Sequence, residues 1–175
     1  MSISTKKGDD GFTGIPGTNE RLRKDHPYME FLGELDELDA HLALCAIALK
    51  TGGSPKSAEL IEEVKIELTD VMIPLAAELF GRSGKKTAPA KLCLNTGQLD
   101  QHIAALEKEN PVTGFVKTWS KPASAAINTA RTICRRCERR SVTALQTCAA
   151  CTEFLPWLNR LSDLLFLLAA SEEKD

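Results

Sequence analysis

Three charged residues, Arg131, Arg135 and Glu138, stand at i, i+4 and i+7 within PASAAINTARTICRRCERRSVTALQ, residues 122–146. Read as a helix, the stretch places all three on one face, stacked over about two turns. Arg136, Arg139 and Arg140 then point elsewhere, and Ala126, Ala130, Ile133, Cys134 and Cys137 supply the apolar positions. Two guanidinium groups aligned with a carboxylate can grip an anion, because each offers a planar fork of N–H donors. The same residues also suit a solvated basic face laced with i,i+3 and i,i+4 ion pairs.

Two further stretches have chemistry in them. TKKGDDGFTG, residues 5–14, has the makings of a phosphate cradle: glycines let backbone N–H groups converge, Thr5 and Thr13 offer hydroxyls, and Lys6 adds a point charge. It is not a Walker A loop, since G-x-x-x-x-G-K-[ST] is absent, and a plain flexible arm fits the composition too. Cys134-x2-Cys137 and Cys148-x2-Cys151 match the outline of a four-cysteine zinc site. Against that, the first pair sits in a helical run without a knuckle glycine, where small thiols serve as core residues. Asn159 and Asp163 interrupt a leucine-rich helix, either on a wet face or turned inward to a ligand. His26, His41 and His102 have no ligand spacing and read as surface or capping residues. No Ser/His/Asp or Cys/His constellation is legible.

These groups must be held by a scaffold, and 175 residues are enough for one domain with its own core. Hydrophobic residues make up 43% and charged residues 26%, ordinary for a globular protein. A formal net charge of −2 gives no global field toward nucleic acid or anionic lipid. Charge is instead local, with seven Lys or Arg and one acid over 117–140. Aromatics at 5% argue against a base-stacking platform. No apolar run follows Met1, and LSDLLFLLAA near the end is too short to span a bilayer. The expectation is a cytoplasmic protein without membrane or nucleic-acid partners, its six cysteines thiols or ligands rather than disulfides.

Along the chain, glycines 8, 11, 14 and 17 with Pro16 leave no room for a regular element over 1–26, predicted to be an extended arm. A first helix is predicted from Pro27 to about Lys50, capped from Asp25, burying Phe31, Leu35, Leu38 and Leu42. Glu30, Glu34, Glu37 and His41 form its wet face; Asp36 belongs to neither face, beside Met29, Gly33 and Ala40. Further helices are predicted over about 55–80 (with Pro74 a kink point), 97–109 (capped from Asn95 or Thr96), 122–146 (with a cap at Ser120) and 153–171. No alternating pattern and no repeat appears. The fold class is all-α: a five-helix up-and-down bundle over 27–175, carrying the glycine-rich N-terminal arm of 1–26.

Taken together, these stretches resemble the PduO-type ATP:corrinoid adenosyltransferases. The family's T-K-x-G-D-x-G-x-T arm is found at Thr5–Thr13, a Lys-Asp pair at Lys24-Asp25, and G-x-x-D-E-L-[ND] as GELDELD at 33–39. Its signature R-x-x-C-R-R-x-E-R-R stands intact at Arg131–Arg140, and L-N-R-L-S-D at Leu158–Asp163. The resemblance implies that cob(I)alamin attacks the 5′-carbon of ATP through cobalt and expels triphosphate, with Mg²⁺ as the accompanying ion. Thr5, Lys6, Gly8, Asp10, Gly11, Thr13 and Lys24 would wrap the phosphates as the ATP-binding arm. Arg135 would contact phosphate, with Glu138 orienting it or helping to hold the metal. Arg131 would pair with Asp36 of another subunit, and Asn159 would hold the nucleoside. Family members are homotrimers with sites at subunit interfaces. A reductase and an adenosylcobalamin-dependent enzyme are implied as further partners.

The sequence departs from the family just before the signature helix. F-x-L-P-G-G, whose aromatic closes the lower face of the corrin, is here Phe115-Val116-Lys117-Thr118-Trp119-Ser120. Phe115 keeps the family's distance from Arg131, and Trp119 is available as a substitute apolar wall. The catalytic set is then Arg131, Arg135, Asp36 and Phe115, with Phe115 and Trp119 on the corrinoid side. Two other readings stand beside this one: a nucleotide or corrinoid carrier of the same fold without turnover, motivated by the changed loop, and a four-cysteine metal regulator.

Overall fold

The computed structural model describes residues 4, 6–15, 19–79, 94–112, 114, 116, 118–146 and 153–174. Five helices are found among them: α1 (Pro27–Gly52), α2 (Pro55–Leu79), α3 (Thr96–Glu109), α4 (Pro122–Ala144) and α5 (Phe154–Lys174). Each long element exists because apolar residues recur at helical spacing, and those stripes are buried, that of α3 fully only at Leu99 with Ile103 and Leu106 partly covered. Phe31, Leu35, Leu38 and Leu42 of α1 meet Ile127, Ala130 and Cys134 of α4 and Trp157, Leu158, Leu161 and Leu165 of α5 in one core. Phe31 packs edge-on against Phe154, centroids 5.7 Å apart, and Phe154 packs in turn against Trp157 at 5.9 Å.

Polar contacts between helices reveal their directions. Glu34 and Glu37 meet Arg136 while Glu30 meets Arg140, so α1 and α4 are antiparallel. Cys134 reaches Leu158 and Ser120 reaches Glu173, so α4 and α5 are antiparallel as well. Lys50 pairs with Glu62 and Lys65 with Asp39, which sets α2 against α1. The result is the expected up-and-down bundle, with α4 packed between α1 and α5.

Four local expectations are corrected. The arm does contain regular structure: β1 (Phe12–Gly14) and β2 (Arg21–Arg23) pair antiparallel, Thr13 opposite Leu22. Strands of three residues are too short to show alternation in sequence. Helix α1 is capped not by Asp25, which is bound to Arg23, but by His26, whose ring nitrogen accepts from Tyr28 N at 3.2 Å. Ser120 does not cap α4; the capping residue is Lys121, with no side-chain bond of its own. The acids assigned to the wet face of α1 are also engaged, since Arg136 bonds both Glu34 and Glu37.

Candidate functional site

The arm is built around Arg21. Its guanidinium takes both oxygens of Asp10 at 2.7 Å, donates to Lys7 O at 2.6 Å, and lies over the Phe12 ring. That fork holds the Asp10 carboxyl well below its ordinary range, at about 2. Gly11 has φ +81°, a conformation that suits glycine, and its carbonyl accepts from Lys24 N at 2.9 Å. A Cβ at Gly8 would lie 3.1 Å from Lys24 Nζ, so the lysine chain lies over the glycine. Lys24 is thereby brought against both Gly8 and Gly11, with Thr13 half-buried on β1. Asp10 is paired with Arg21, its side chain 54% exposed. Thr5 lies outside the described residues.

On α4, Arg131 and Arg135 line an open cleft of about 970 Å³ between α3, α4 and α5. Its other side is formed by Arg160, Asp163, Phe166 and Leu167 of α5, with Val112 and Gly114 from the connection after α3. None of its described lining residues comes from the arm. Glu138 sits beneath the two arginines, only 17% exposed at its side chain. Its Oε1 accepts from Asn159 Nδ2 at 2.9 Å, while its buried Oε2 lies 2.8 Å from Arg135 Nη1, an ion pair without hydrogen-bond alignment. One carboxylate thus fixes both Arg135 and Asn159, from two helices. Arg131 is turned by Asn128, whose Oδ1 accepts from Nε at 3.0 Å.

Within the chain no ion pair joins Arg131 to Asp36; Asp36 is exposed on α1 and has no ion-pair partner among the described residues. Trp119 is half-buried against Phe166, centroids 6.4 Å apart and nearly perpendicular. Phe115 lies outside the described residues.

Sequence reasoning missed Arg160 and Phe166. Arg160 pairs with Asp100 at 3.1 Å and Asp163 at 2.9 Å, bridging α5 to α3 across the cleft. The signal was present: 159, 163 and 166 lie one turn apart on the same stripe, with Arg160 alongside.

The cysteine alternative fares poorly on geometry. Cys134 and Cys137 are fully buried, and their thiols donate in different directions, to Leu158 O of α5 at 3.3 Å and to Glu34 O of α1 at 3.1 Å. Thiols aimed at opposite neighbours do not converge on one ion. Burial raises both, Cys137 to about 12, so neither is poised as a thiolate. Cys148 and Cys151 lie outside the described residues, and no group of three or more metal-ligating side chains occurs among those described.

Residues 3–172 match the family model described as cobalamin adenosyltransferase. The chain is 32% identical over 179 residues to the corrinoid adenosyltransferase PduO of Citrobacter freundii, covering 100% of this chain and 51% of that protein. It is 34% identical over 172 residues to the corrinoid adenosyltransferase MMAB of Bos taurus, covering 95% of this chain and 69% of that one. The chain therefore spans about half the length of the PduO relative. A single-residue variant of the PduO-type ATP:corrinoid adenosyltransferase from Lactobacillus reuteri, solved with cobalamin and ATP, superposes with a TM-score of 0.77 at 26% identity. The superposition covers 99% of this chain and 90% of that one.

Proposed function

The chain belongs to the cobalamin adenosyltransferase family, and on that premise we propose that it transfers the 5′-deoxyadenosyl group of ATP to the cobalt of a reduced corrinoid. The observation that carries this reading is a single cleft with two unlike walls. Arg131 and Arg135 present cations on one side; on the other, Phe166, Leu167 and Val112 present apolar surface beside the paired Arg160 and Asp163. An anionic nucleotide and a flat macrocycle need those two surfaces side by side.

In the reaction, the electron pair of cob(I)alamin forms the cobalt–carbon bond, the C5′–oxygen bond breaks, and its electrons leave with triphosphate. The protein's share is position and charge. Lys6, Lys24 and the N–H groups around Gly8 and Gly11, with the Thr5 and Thr13 hydroxyls, wrap the phosphates; the arm of 1–26 is in this reading the nucleotide clasp of the domain at 27–175. Asp10 contributes by fixing Arg21 and the turn. Arg135 stabilises charge building on the leaving group, Glu138 orients it, and Asn159, held by the same carboxylate, contacts the nucleoside. Mg²⁺ supplies charge neutralisation on the phosphates. Glu138 fits poorly as its ligand, since both oxygens already face Arg135 and Asn159, so the ion would be carried by phosphate oxygens and water. Phe115 and Trp119 belong to the corrinoid side.

Arg131 pairs with Asp36 of a neighbouring copy in a homotrimer, which accounts for an exposed Asp36 beside exposed Leu44 and Ile47 on α1. No described helix is long and apolar enough to cross a membrane. Free buried thiols at Cys45, Cys134 and Cys137 favour the reducing cytoplasm, where a reductase would supply the electron and an adenosylcobalamin-dependent enzyme would take the product.

The test is anaerobic: protein, ATP, Mg²⁺ and chemically reduced cob(I)alamin should yield the adenosylcobalamin spectrum and free triphosphate. Absence of both overturns the reading. A carrier of the same fold is the second reading, favoured by the replaced loop at 116–120; calorimetry showing tight ATP binding with no product would select it.

A further inference from the structure

The connection between α3 and α4 is fastened at both ends to the last turn of α5. At its start, Asn110 Nδ2 donates to Ser171 Oγ at 3.0 Å and Lys174 Nζ donates to Pro111 O at 3.3 Å. At its end, Glu173 accepts from Ser120 N at 3.1 and 3.0 Å, from Lys121 N at 3.4 Å, and from the Ser120 and Ser124 hydroxyls. Since Lys121 opens α4 without a side-chain cap, Glu173 brings from α5 the anion that a helix start attracts. Seven residues earlier on the same face of α5, Phe166 holds Trp119 edge-on and lines the cleft. The backbone anchor and the aromatic anchor therefore act on neighbouring residues, Ser120 and Trp119.

We propose that Glu173 is a positioning residue for the corrinoid side of the cleft: by clamping Ser120 and Lys121 it holds Trp119 on Phe166 and so fixes the apolar wall. The proposal rests on the adenosyltransferase reading. Glycine and proline turns restrict a loop through its backbone; here the restriction comes from a carboxylate on another helix. Hydrogen bonds from the two serines hold that carboxyl at about 2, so the clamp stays charged throughout the neutral range. Adjacent Glu172 does the same for α2, accepting from Ser54 N at 3.1 Å and Ser57 Oγ at 2.7 Å, and it makes no hydrogen bond to the connection that carries Trp119. It is therefore an internal control for a capping role alone.

The experiment compares Glu173→Ala, Glu173→Gln and Glu172→Gln. Glu173→Ala should raise KM for corrinoid ~10-fold while KM for ATP stays within about twofold. Glu173→Gln, which keeps an acceptor oxygen, should fall between it and the parent. In hydrogen exchange, the Ser120 and Lys121 amides of Glu173→Ala should exchange about tenfold faster, with the centre of α4 unchanged. An unchanged corrinoid KM, or a parallel rise in both KM values matched by Glu172→Gln, overturns the proposal. If the parent protein forms no adenosylcobalamin at all, the failure lies with the adenosyltransferase reading. Exchange at Ser120 and Lys121 needs no turnover, and unchanged protection there overturns the clamp by itself.

Discussion

At the scale of single residues, the arrangement around Glu138 makes Arg135 the group with the most to lose. Its guanidinium is paired with a carboxylate that also holds Asn159, which biases it toward the cleft before any substrate arrives. Charge stabilisation by a preorganised donor is worth far more than by one that must be recruited. Arg135→Ala should lower kcat ~10²-fold or more, and lysine should restore little, because a point charge cannot replace a planar fork. Steady-state kinetics of the two variants checks both statements, and parental rates would remove Arg135 from the site. The cysteines give a prediction of opposite character. Cys45 and Cys137 are pushed up to about 12 and Cys134 also upward, all by burial, so at pH 7 to 9 they remain neutral thiols. The depressed reactivity should be plain in peptide mass spectrometry: iodoacetamide should leave these three unmodified in the native protein and label them in denaturant. Rapid native labelling of Cys134 or Cys137 would contradict their placement as core residues.

Among the elements, what could be read from the sequence and what could not divide along the range of the forces involved. Helical periodicity is a property of a dozen neighbouring residues, so the five helices and their buried stripes were legible, down to Leu99 on α3 and Leu161 on α5. Helix caps depend on which partner reaches the terminus first. Asn95, one of two candidates with Thr96, caps α3 from within its own segment; the acceptor at the start of α4 is Glu173, 53 residues from Ser120, and no local pattern announces it. The same limit hid the engagement of Glu34 and Glu37 with Arg136, which is a fact about two helices. Within the site, Arg131, Arg135, Glu138 and Asn159 announced themselves by spacing and motif, whereas Arg160 and Phe166 owe their place in the cleft to α3 and to the connection after it. Helix α5 is the element on which most of this depends, since it meets both α4 and α3. Leu165 is fully buried in it, and Leu165→Ala should cost about 2–5 kcal/mol, lost transfer energy plus a cavity, without altering the KM of either substrate. Urea unfolding measures the loss; a change under about 1 kcal/mol would mean the core collapses freely around the gap.

For the whole molecule the remaining question is what the outer faces of α1 and α2 are for. Leu44 and Ile47 on α1 and Ile66 and Ile73 on α2 are each more than half exposed, Ile73 at 80%; among the other described large aliphatic residues only Val142 on α4 passes one half, at 52%. Exposed aliphatic residues concentrated on two packed helices mark a surface that another molecule covers. Asp36 shares the exposed side of α1 with them, while Arg131 faces the cleft and has no ion-pair partner among the described residues. A homotrimer that sets α1 of one copy beside the cleft of the next would satisfy the apolar faces and both charges at once. Light scattering should therefore give the mass of three chains, and Ile73→Lys should shift it toward smaller species with a parallel loss of rate. The pairing itself is decided by a double-mutant cycle. If Asp36 and Arg131 meet across the interface, Asp36→Ala and Arg131→Ala should each reduce activity, and the double variant should lose little more than the worse single one, because the second substitution removes a group already stranded. Losses that simply multiply would mean that the two residues act independently, and Asp36 would then need another explanation than Arg131.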